Sequence, residues 1–286
     1  MVQPTLTLED IIKQTADLPA APATALSVMK EADSPAGSAK TVADVLGQDP
    51  ALAVKVLRLA NSAYYGLSRQ VMDIPDAVVV LGMRAVRNLC LLASSYSWMT
   101  KPLTGYGLGP KDLWRHSFAT AVGSSMAAER SGACTPDQAF AAGLLHDLGK
   151  VVLNVWFEAK IGGMMELALQ LDAPIEEVER RTLGFDHAEV GALLAEYWNL
   201  PKPLVAALRY HHEPSECAEQ LPIIDCVHVA DNLAAMLGLG LDRLKRNLDP
   251  KALKRLSIAP DEINPMCVEL NAAYERQEKL FDGFQN

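Results

Sequence analysis

The spacing of apolar residues along the chain is helical almost everywhere. Leu52, Val56 and Leu59 fall three or four positions apart, and the same spacing recurs in most segments between prolines and glycines. Strict alternation of apolar and polar residues, which would indicate strands, is almost absent. The pattern therefore predicts an all-α protein.

Caps and helix breakers divide the first hundred residues into several predicted helices. Asp49-Pro50 joins a capping residue to proline at the first helical position. Thr7 opens the first predicted helix with an acidic first turn. A long apolar helix is predicted to start at Ile74 and to continue through Leu89. Further predicted helices cover residues 23–32, 38–46 and the segment after Asp49.

The second half of the chain shows the same helical spacing of apolar residues, and most of its predicted helices end at Gly, Pro or Asn. Predicted helices cover residues 111–130, 137–148, 152–171, 175–182, 187–198, 202–211 and 223–236. Two more helical patterns lie between residues 250 and 284. The decapeptide from residue 101 to residue 110 holds two prolines and three glycines. It is the predicted linker between an N-terminal helical subdomain (1–100) and a metal-binding helical domain (111–240), with a C-terminal helical extension (241–286).

Net charge and composition narrow the functional classes. The net charge of −9 argues against a general nucleic-acid binder, which usually carries a basic face. Lys55, Arg58, Arg84 and Arg87 are interpreted as a solvated helix surface, with a nucleic-acid contact as the less favoured alternative. The five cysteines form no CxxC pair, and no apolar run approaches eighteen residues. The N-terminus lacks the pattern of a secretory signal, so a cytoplasmic protein is predicted.

The histidines carry the clearest chemical signal. All six follow the predicted linker, mostly in or beside apolar helical runs. His146-Asp147 ends one such run, although adjacent residues of a helix point about 100° apart and rarely converge. A metal ion accepts both imidazole nitrogen and carboxylate oxygen, so it would favour such a pair. Asp231 interrupts another apolar run, where an unpaired carboxylate costs several kcal/mol.

Imidazoles and carboxylates without thiols are the donors that first-row divalent metals prefer. Two ions bridged by one aspartate would account for the number of such residues, since paired ions lie about 3.5–4 Å apart. Lys150, one helical turn after His146, could meet a phosphate from the same side.

Each residue taken alone also has an ordinary structural reading. His116 could be a core histidine, His187 a first-turn residue behind the capping Asp186, and Asp231 the partner of a distant cation. His211-His212 could be an exposed helix end. His228 is assigned a structural role. Asp112 is interpreted as a helix-start carboxylate, and a ligand role for it is the less favoured alternative.

The order of these residues resembles the metal signature of the HD phosphohydrolase superfamily. The additional histidines resemble its HD-GYP branch, whose members hydrolyse cyclic dinucleotides. Carried over, the resemblance implies one metal at His116, His146, Asp147 and Asp231. It implies that Asp147 bridges to a second metal at His187, His211 and His212, and that Lys150 matches the lysine of the His-Asp-x-Gly-Lys motif. Asp147 and Lys150 are the implied catalytic residues.

The chain departs from HD-GYP after Pro214, where no Gly-Tyr-Pro segment follows. Its first half instead resembles the HDOD family, the HD-related output domain of bacterial signalling proteins. The matching segments are Leu18-Pro19-Ala20-Ala21-Pro22, Asp49-Pro50-Ala51-Leu52, Leu57-Arg58-Leu59-Ala60-Asn61-Ser62 and the stretch from Ala77 to Gly82. This resemblance implies a multi-helix HD-like bundle and a regulatory role, with all seven metal positions retained.

Two hypotheses follow. The favoured one is a bacterial regulatory protein that retains a di-metal site and contacts signalling proteins. The alternative is a metal-dependent phosphohydrolase acting on a nucleotide or cyclic dinucleotide. In either case two divalent ions are expected, with Fe or Mn favoured and Mg, Zn or Ni as alternatives. No membrane partner is expected, and nucleic acid is disfavoured.

Overall fold

The computed structural model describes residues 23–32, 34–62, 67–239 and 247–281, with side chains as far as residue 276. The prediction of an all-α protein is confirmed. Within these ranges the only extended pairing is an isolated bridge between Leu103 and Leu108. None of the described helices is long and apolar enough to cross a bilayer. The helix predicted from Thr7 lies outside the described residues.

The helices follow one another in short steps. The first five are α1 (Ala23–Ala32), α2 (Ala39–Leu46), α3 (Pro50–Ala60), α4 (Ile74–Leu81) and α5 (Met83–Met99). The next seven are α6 (Asp112–Ser131), α7 (Pro136–Leu145), α8 (Leu148–Leu171), α9 (Ile175–Leu183), α10 (His187–Tyr197), α11 (Lys202–Tyr210) and α12 (Pro222–Met236). The last two are α13 (Pro250–Arg255) and α14 (Ile263–Phe281), and 3₁₀ turns cover Thr104–Tyr106, Pro214–Glu216 and Pro260–Glu262.

The chain forms two compact units. One contains the described residues between 19 and 98 together with 271–281, and the other contains 99–239 and 247–270. The division falls between Trp98 and Met99, just before the glycine- and proline-rich decapeptide. That decapeptide packs within the second unit, because Leu103, Tyr106 and Leu108 are buried there.

Local signals explain the helices of the first unit. The side chains of Ser38, Asp49 and Asp73 cap α2, α3 and α4 by accepting backbone N–H groups. The prediction of one helix from Ile74 through Leu89 is wrong, because two helices cover this stretch. Gly82 has φ +87°, a conformation that ends α4 and lets α5 begin at the next residue.

The basic residues of α3 and α5 do not share one exposed surface. Arg58 and Arg84 are exposed, whereas Arg87 is buried with 3% of its surface accessible. The interpretation of all four as a solvated face is therefore wrong for Arg87. Cys90 and Leu91, one turn further along α5, are also buried, so Arg87 points the same way as the core of this helix.

The second unit is built around α6 and α12. α6 packs against α7 and α12, while α10 packs against α8 and α11. The prediction of one helix from 137 to 148 is wrong, because α7 ends at Leu145 and α8 starts at Leu148. His146 and Asp147 occupy the break between them. Helix termini from α7, α8, α10 and α11 thus lie near the second turn of α6, which carries His116, and near Asp231 of α12.

Candidate metal centre

The break between α7 and α8 brings His146 and Asp147 together. His146 Nε2 lies 3.4 Å from Asp147 Oδ2, although the two residues are adjacent. A continuous helix would point their side chains about 100° apart, so the break is what allows them to converge. Both residues are buried, with 0% and 1% of their surface accessible.

Gly149 allows α10 to approach this break. A Cβ atom at Gly149 would stand 1.8 Å from the carbonyl oxygen of His187 and 2.7 Å from the backbone nitrogen of Gly191. Only a residue without a side chain permits that approach. As a result, His187 Nε2 lies 3.3 Å from Asp147 Oδ1.

The structure gathers the seven predicted ligand residues into two adjoining groups. Within each group the candidate ligand atoms lie within 4.8 Å of one another. The group here called the first is His116, His146 and Asp231, and the second is Asp147, His187, His211 and His212. These residues come from five different segments of the unit, so convergence of this kind is a property of the tertiary fold.

Asp147 faces both groups with different oxygen atoms. Its Oδ2 lies 3.5 Å from His116 Nε2 and 3.4 Å from His146 Nε2. Its Oδ1 lies 3.3 Å from His187 Nε2 and 3.8 Å from His211 Nε2. A carboxylate in this position has one oxygen for each of two cations.

Backbone carbonyls orient three of the imidazoles. The Nδ1 atoms of His116, His146 and His211 each lie 2.8 Å from a carbonyl oxygen, those of Leu239, Gly143 and Leu208. Because a carbonyl can only accept a hydrogen bond, each Nδ1 carries a proton and donates it. This arrangement directs Nε2 toward the cluster, as it does in metal-binding histidines.

The atoms directed at the cluster lack hydrogen bonds. Nε2 of His116, His146 and His211 and Oδ1 of Asp147 are buried without a hydrogen-bond partner in the described part of the chain. Buried polar atoms without partners are rare because each costs about 1–3 kcal/mol. Four of them facing one region fit the donor set of a divalent metal, and the cluster is therefore capable of holding one.

His187 is oriented by a carboxylate that sequence reasoning missed. Glu179 Oε2 accepts hydrogen bonds from both the Nδ1 (2.6 Å) and the backbone nitrogen (2.9 Å) of His187. Burial disfavours charge on His187, but Glu179 outweighs this effect and raises the pKa of His187 to about 10. One signal was available in the sequence: Glu179 shares the buried face of α9 with Ile175 and Val178.

The charges around the two groups favour the ionised form of Asp147. Burial opposes its ionisation, but Lys150 and His146 hold the pKa of Asp147 well below its usual range. Burial likewise disfavours charge on His146, yet Asp147 and Asp231 raise the pKa of His146 to about 9. By contrast, burial and the neighbouring His146 lower the pKa of His211.

Lys150 is placed differently from a freely exposed phosphate ligand. Its ammonium group donates to Asp147 Oδ2 at 2.6 Å, and only 2% of the residue is accessible. It nevertheless lines a cavity of about 150 Å³ beside the cluster, together with His212 and Asp231. The cavity wall also contains Arg180 and three carboxylates, from Glu176, Glu177 and Glu213.

His228 and Asp112, for which the sequence favoured structural roles, lie outside both groups. His228 donates through Nδ1 to the carbonyl oxygen of His211 (2.7 Å) and accepts through Nε2 from the backbone of Asp249 (2.8 Å). It thus supports the backbone at the end of α11. Asp112 accepts a hydrogen bond from Gly109 at the start of α6.

Comparison with known proteins shows the family to which the chain belongs. Residues 18–214 match the family model of the HDOD domain. The chain belongs to the HDOD family. This HDOD protein is also 29% identical over 221 residues to an uncharacterised protein of Treponema pallidum (strain Nichols), covering 75% of the present chain. It spans only 42% of the length of that relative.

Solved structures with the same fold come from several bacteria. The HDOD protein is 27% identical to an HDOD domain protein of Geobacter sulfurreducens with unknown function, with a TM-score of 0.78 and 100% coverage of both chains. It is 25% identical to a provisionally assigned phosphohydrolase of Shewanella amazonensis SB2B, with a TM-score of 0.72 and coverage of 94% of this chain and 97% of the other.

Proposed function

We propose that this HDOD protein is a signal-transduction regulator that holds two divalent ions, bridged by Asp147, as a structural or ligand-sensing centre. One observation carries the proposal: four buried ligand atoms without hydrogen bonds face one region, and carbonyls fix the orientation of three of them. His116, His146 and Asp231 would hold one ion with Asp147. His187, His211 and His212 would hold the other.

The donor set supports Fe or Mn, since imidazoles and carboxylates are mixed and thiolates are absent. Mg, Zn and Ni are the alternatives. Bound ions would supply positive charge for an anionic ligand in the adjoining cavity. The chain would add the positive charge of Lys150, a residue that lines that cavity.

The size and the charge of the cavity favour a regulatory role for the protein and disfavour hydrolysis of a large nucleotide. Its volume of about 150 Å³ is smaller than the roughly 300–1,000 Å³ of pockets that enclose drug-sized ligands. Glu176, Glu177 and Glu213 would also repel a polyanion. The proposed output is therefore a contact with a cytoplasmic signalling protein, with the ions setting the conformation that is recognised.

Lys150 favours a second candidate, a metal-dependent phosphohydrolase. A buried lysine beside a candidate bridging carboxylate, on the wall of a cavity, is suited to orient one phosphoryl group. In this reading Lys150 binds the phosphoryl oxygens, and Asp147 holds the lysine in place. A nucleotide or cyclic dinucleotide would be the substrate.

Metal analysis and turnover assays separate these candidates. Protein purified without chelator is expected to contain about two ions per chain, and His146→Ala to contain fewer. The protein would then be loaded with Mn or Fe and incubated with cyclic and linear nucleotides. Turnover that Lys150→Gln abolishes would establish the hydrolase. Full metal loading without turnover would support the regulator, and unchanged metal content in His146→Ala would contradict the centre itself.

A further inference from the structure

A tight turn opens the second unit and is held against α8. The backbones of Leu103 and Leu108 exchange two hydrogen bonds, of 3.0 and 3.1 Å, around the 3₁₀ turn Thr104–Tyr106. We call these six residues the 103–108 turn. Leu103, Tyr106 and Leu108 are buried, so the turn is anchored by its side chains although its composition is that of a linker.

The contact between this turn and α8 leaves no spare room. The backbone nitrogen of Gly105 donates to Asn154 Oδ1 at 2.9 Å. A Cβ atom at Gly105 would lie 2.9 Å from the carbonyl oxygen of Glu158 and 3.0 Å from Asn154 Oδ1. α8 is also kinked here, with non-helical dihedral angles at Phe157. A side chain at residue 105 would therefore force the turn and α8 apart.

Tyr106 connects the turn to the candidate metal centre. Its hydroxyl group donates to Glu179 Oε1 at 2.6 Å, while Glu179 Oε2 accepts from His187. Burial and the charge of Glu179 raise the pKa of Tyr106, so the phenol keeps the proton that it donates. All three residues are at most 1% accessible. Two consecutive short hydrogen bonds thus join the turn to the imidazole of His187 in the second group.

We infer that Tyr106 and Glu179 are positioning residues for the second ion, and that they couple its binding to the order of the 103–108 turn. The inference rests on the proposed function, because it requires an ion at His187. An outer carboxylate fixes the orientation and basicity of a metal-binding imidazole, and its loss typically weakens metal binding about 10–100-fold. Tyr106 holds Glu179 in turn.

Coupling of this kind is reciprocal. If the docked turn strengthens binding of the ion, the ion must strengthen docking of the turn by the same factor. The turn begins five residues after Trp98, where the other unit's first stretch of chain ends. Binding of an ion to the second group would therefore stabilise the docked turn at the start of the unit, about eighty residues away from His187 in sequence.

The test removes one hydroxyl group. Tyr106→Phe is expected to bind the second Mn²⁺ about tenfold more weakly, measured by calorimetric titration of the chelator-treated protein. In the wild type, Mn²⁺ is expected to slow amide hydrogen exchange in residues 103–108, and in Tyr106→Phe this slowing should be lost. Tyr197→Phe is the matched control, because Tyr197 is 64% exposed and should behave as wild type.

A second variant tests the coupling by altering the contact between the 103–108 turn and α8. Gly105→Ala displaces the turn from α8 and leaves Glu179 and His187 unchanged. It is expected to weaken binding of the second Mn²⁺, as Tyr106→Phe does. Circular dichroism would establish that each variant is folded. If the wild type binds two ions and both variants bind them equally well, the inference is wrong while the proposed function survives. If the wild type binds no ion, both are wrong.

Discussion

Gly149 lies so close to His187 that a methyl group on its Cα would stand 1.8 Å from the histidine's carbonyl oxygen. This approach brings the first turn of α10 against the first turn of α8. It places His187 Nε2 3.3 Å from Asp147 Oδ1. The glycine that follows Leu148 is therefore a steric requirement of the site.

Gly149→Ala is expected to destabilise the protein by about 3 kcal/mol, since two backbone segments must separate to admit the methyl group. It should also weaken metal binding at His187. Gly163→Ala in the same helix is the control: it is exposed with nothing near its Cβ position, and should stabilise by about 0.5–1 kcal/mol. Chemical denaturation measures both. Equal stability of the two variants would contradict the steric explanation.

Asp231→Asn is expected to lower the metal content of the purified protein, because a neutral amide replaces a buried carboxylate 3.0 Å from His116 Nε2. Asp112→Asn is matched in chemistry but lies outside both groups, so its metal content should equal that of the wild type. Elemental analysis of protein purified without chelator measures the difference. Loss of metal from both variants, or from neither, would argue against the assignment of Asp231.

Metal binding to chelator-treated protein is expected to release about two protons at pH 7.5. The pKa values of His146 and His187, raised to about 9 and 10, mean that both rings are protonated at this pH. Protons and metal compete for Nε2, so affinity should rise as pH increases from 7 toward 9 and fall as pH decreases. Calorimetry in two buffers of different ionisation enthalpy measures the release. Identical apparent enthalpies in both would contradict the prediction.

Arg255→Ala is expected to destabilise the protein by about 2 kcal/mol at pH 8. Arg255 donates two hydrogen bonds, of 2.6 and 2.8 Å, to Asp225, which is 2% accessible and would lose its partner. Burial already raises the pKa of Asp225. A carboxyl group whose pKa is higher in the folded than in the unfolded protein makes the folded state less stable as pH rises through that pKa. The deficit should therefore be smaller at pH 5 than at pH 8.

Arg209→Ala provides the comparison for that measurement. Arg209 pairs at 3.0 Å with Glu196, whose side chain is 51% accessible. An exposed pair of this kind contributes about 0–1 kcal/mol, because water screens and solvates both charges. Similar losses for Arg255→Ala and Arg209→Ala would show that burial of Asp225 has no energetic consequence.

The sequence by itself determined what depends on local periodicity. Apolar residues at helical spacing gave the all-α class, and Asp49-Pro50 gave the start of α3 to the residue. Polar residues within apolar runs were also visible, because a carboxylate such as Asp231 on a buried face is costly without a partner. The full set of seven ligand residues was implied by the resemblance to the HD metal signature, and the structure places these side chains in two adjoining groups.

The tertiary structure decided what depends on contacts between distant segments. Periodicity does not detect the breaks at Gly82 and at His146-Asp147, since apolar residues continue on both sides of each. Tyr106 and Glu179 are 73 residues apart, and no local pattern relates them. Lys150 and Asp147 are only three residues apart, but the burial of this pair depends on the packing of α8 against α10. Helical propensity is a property of neighbours in sequence, whereas a binding site is a property of neighbours in space.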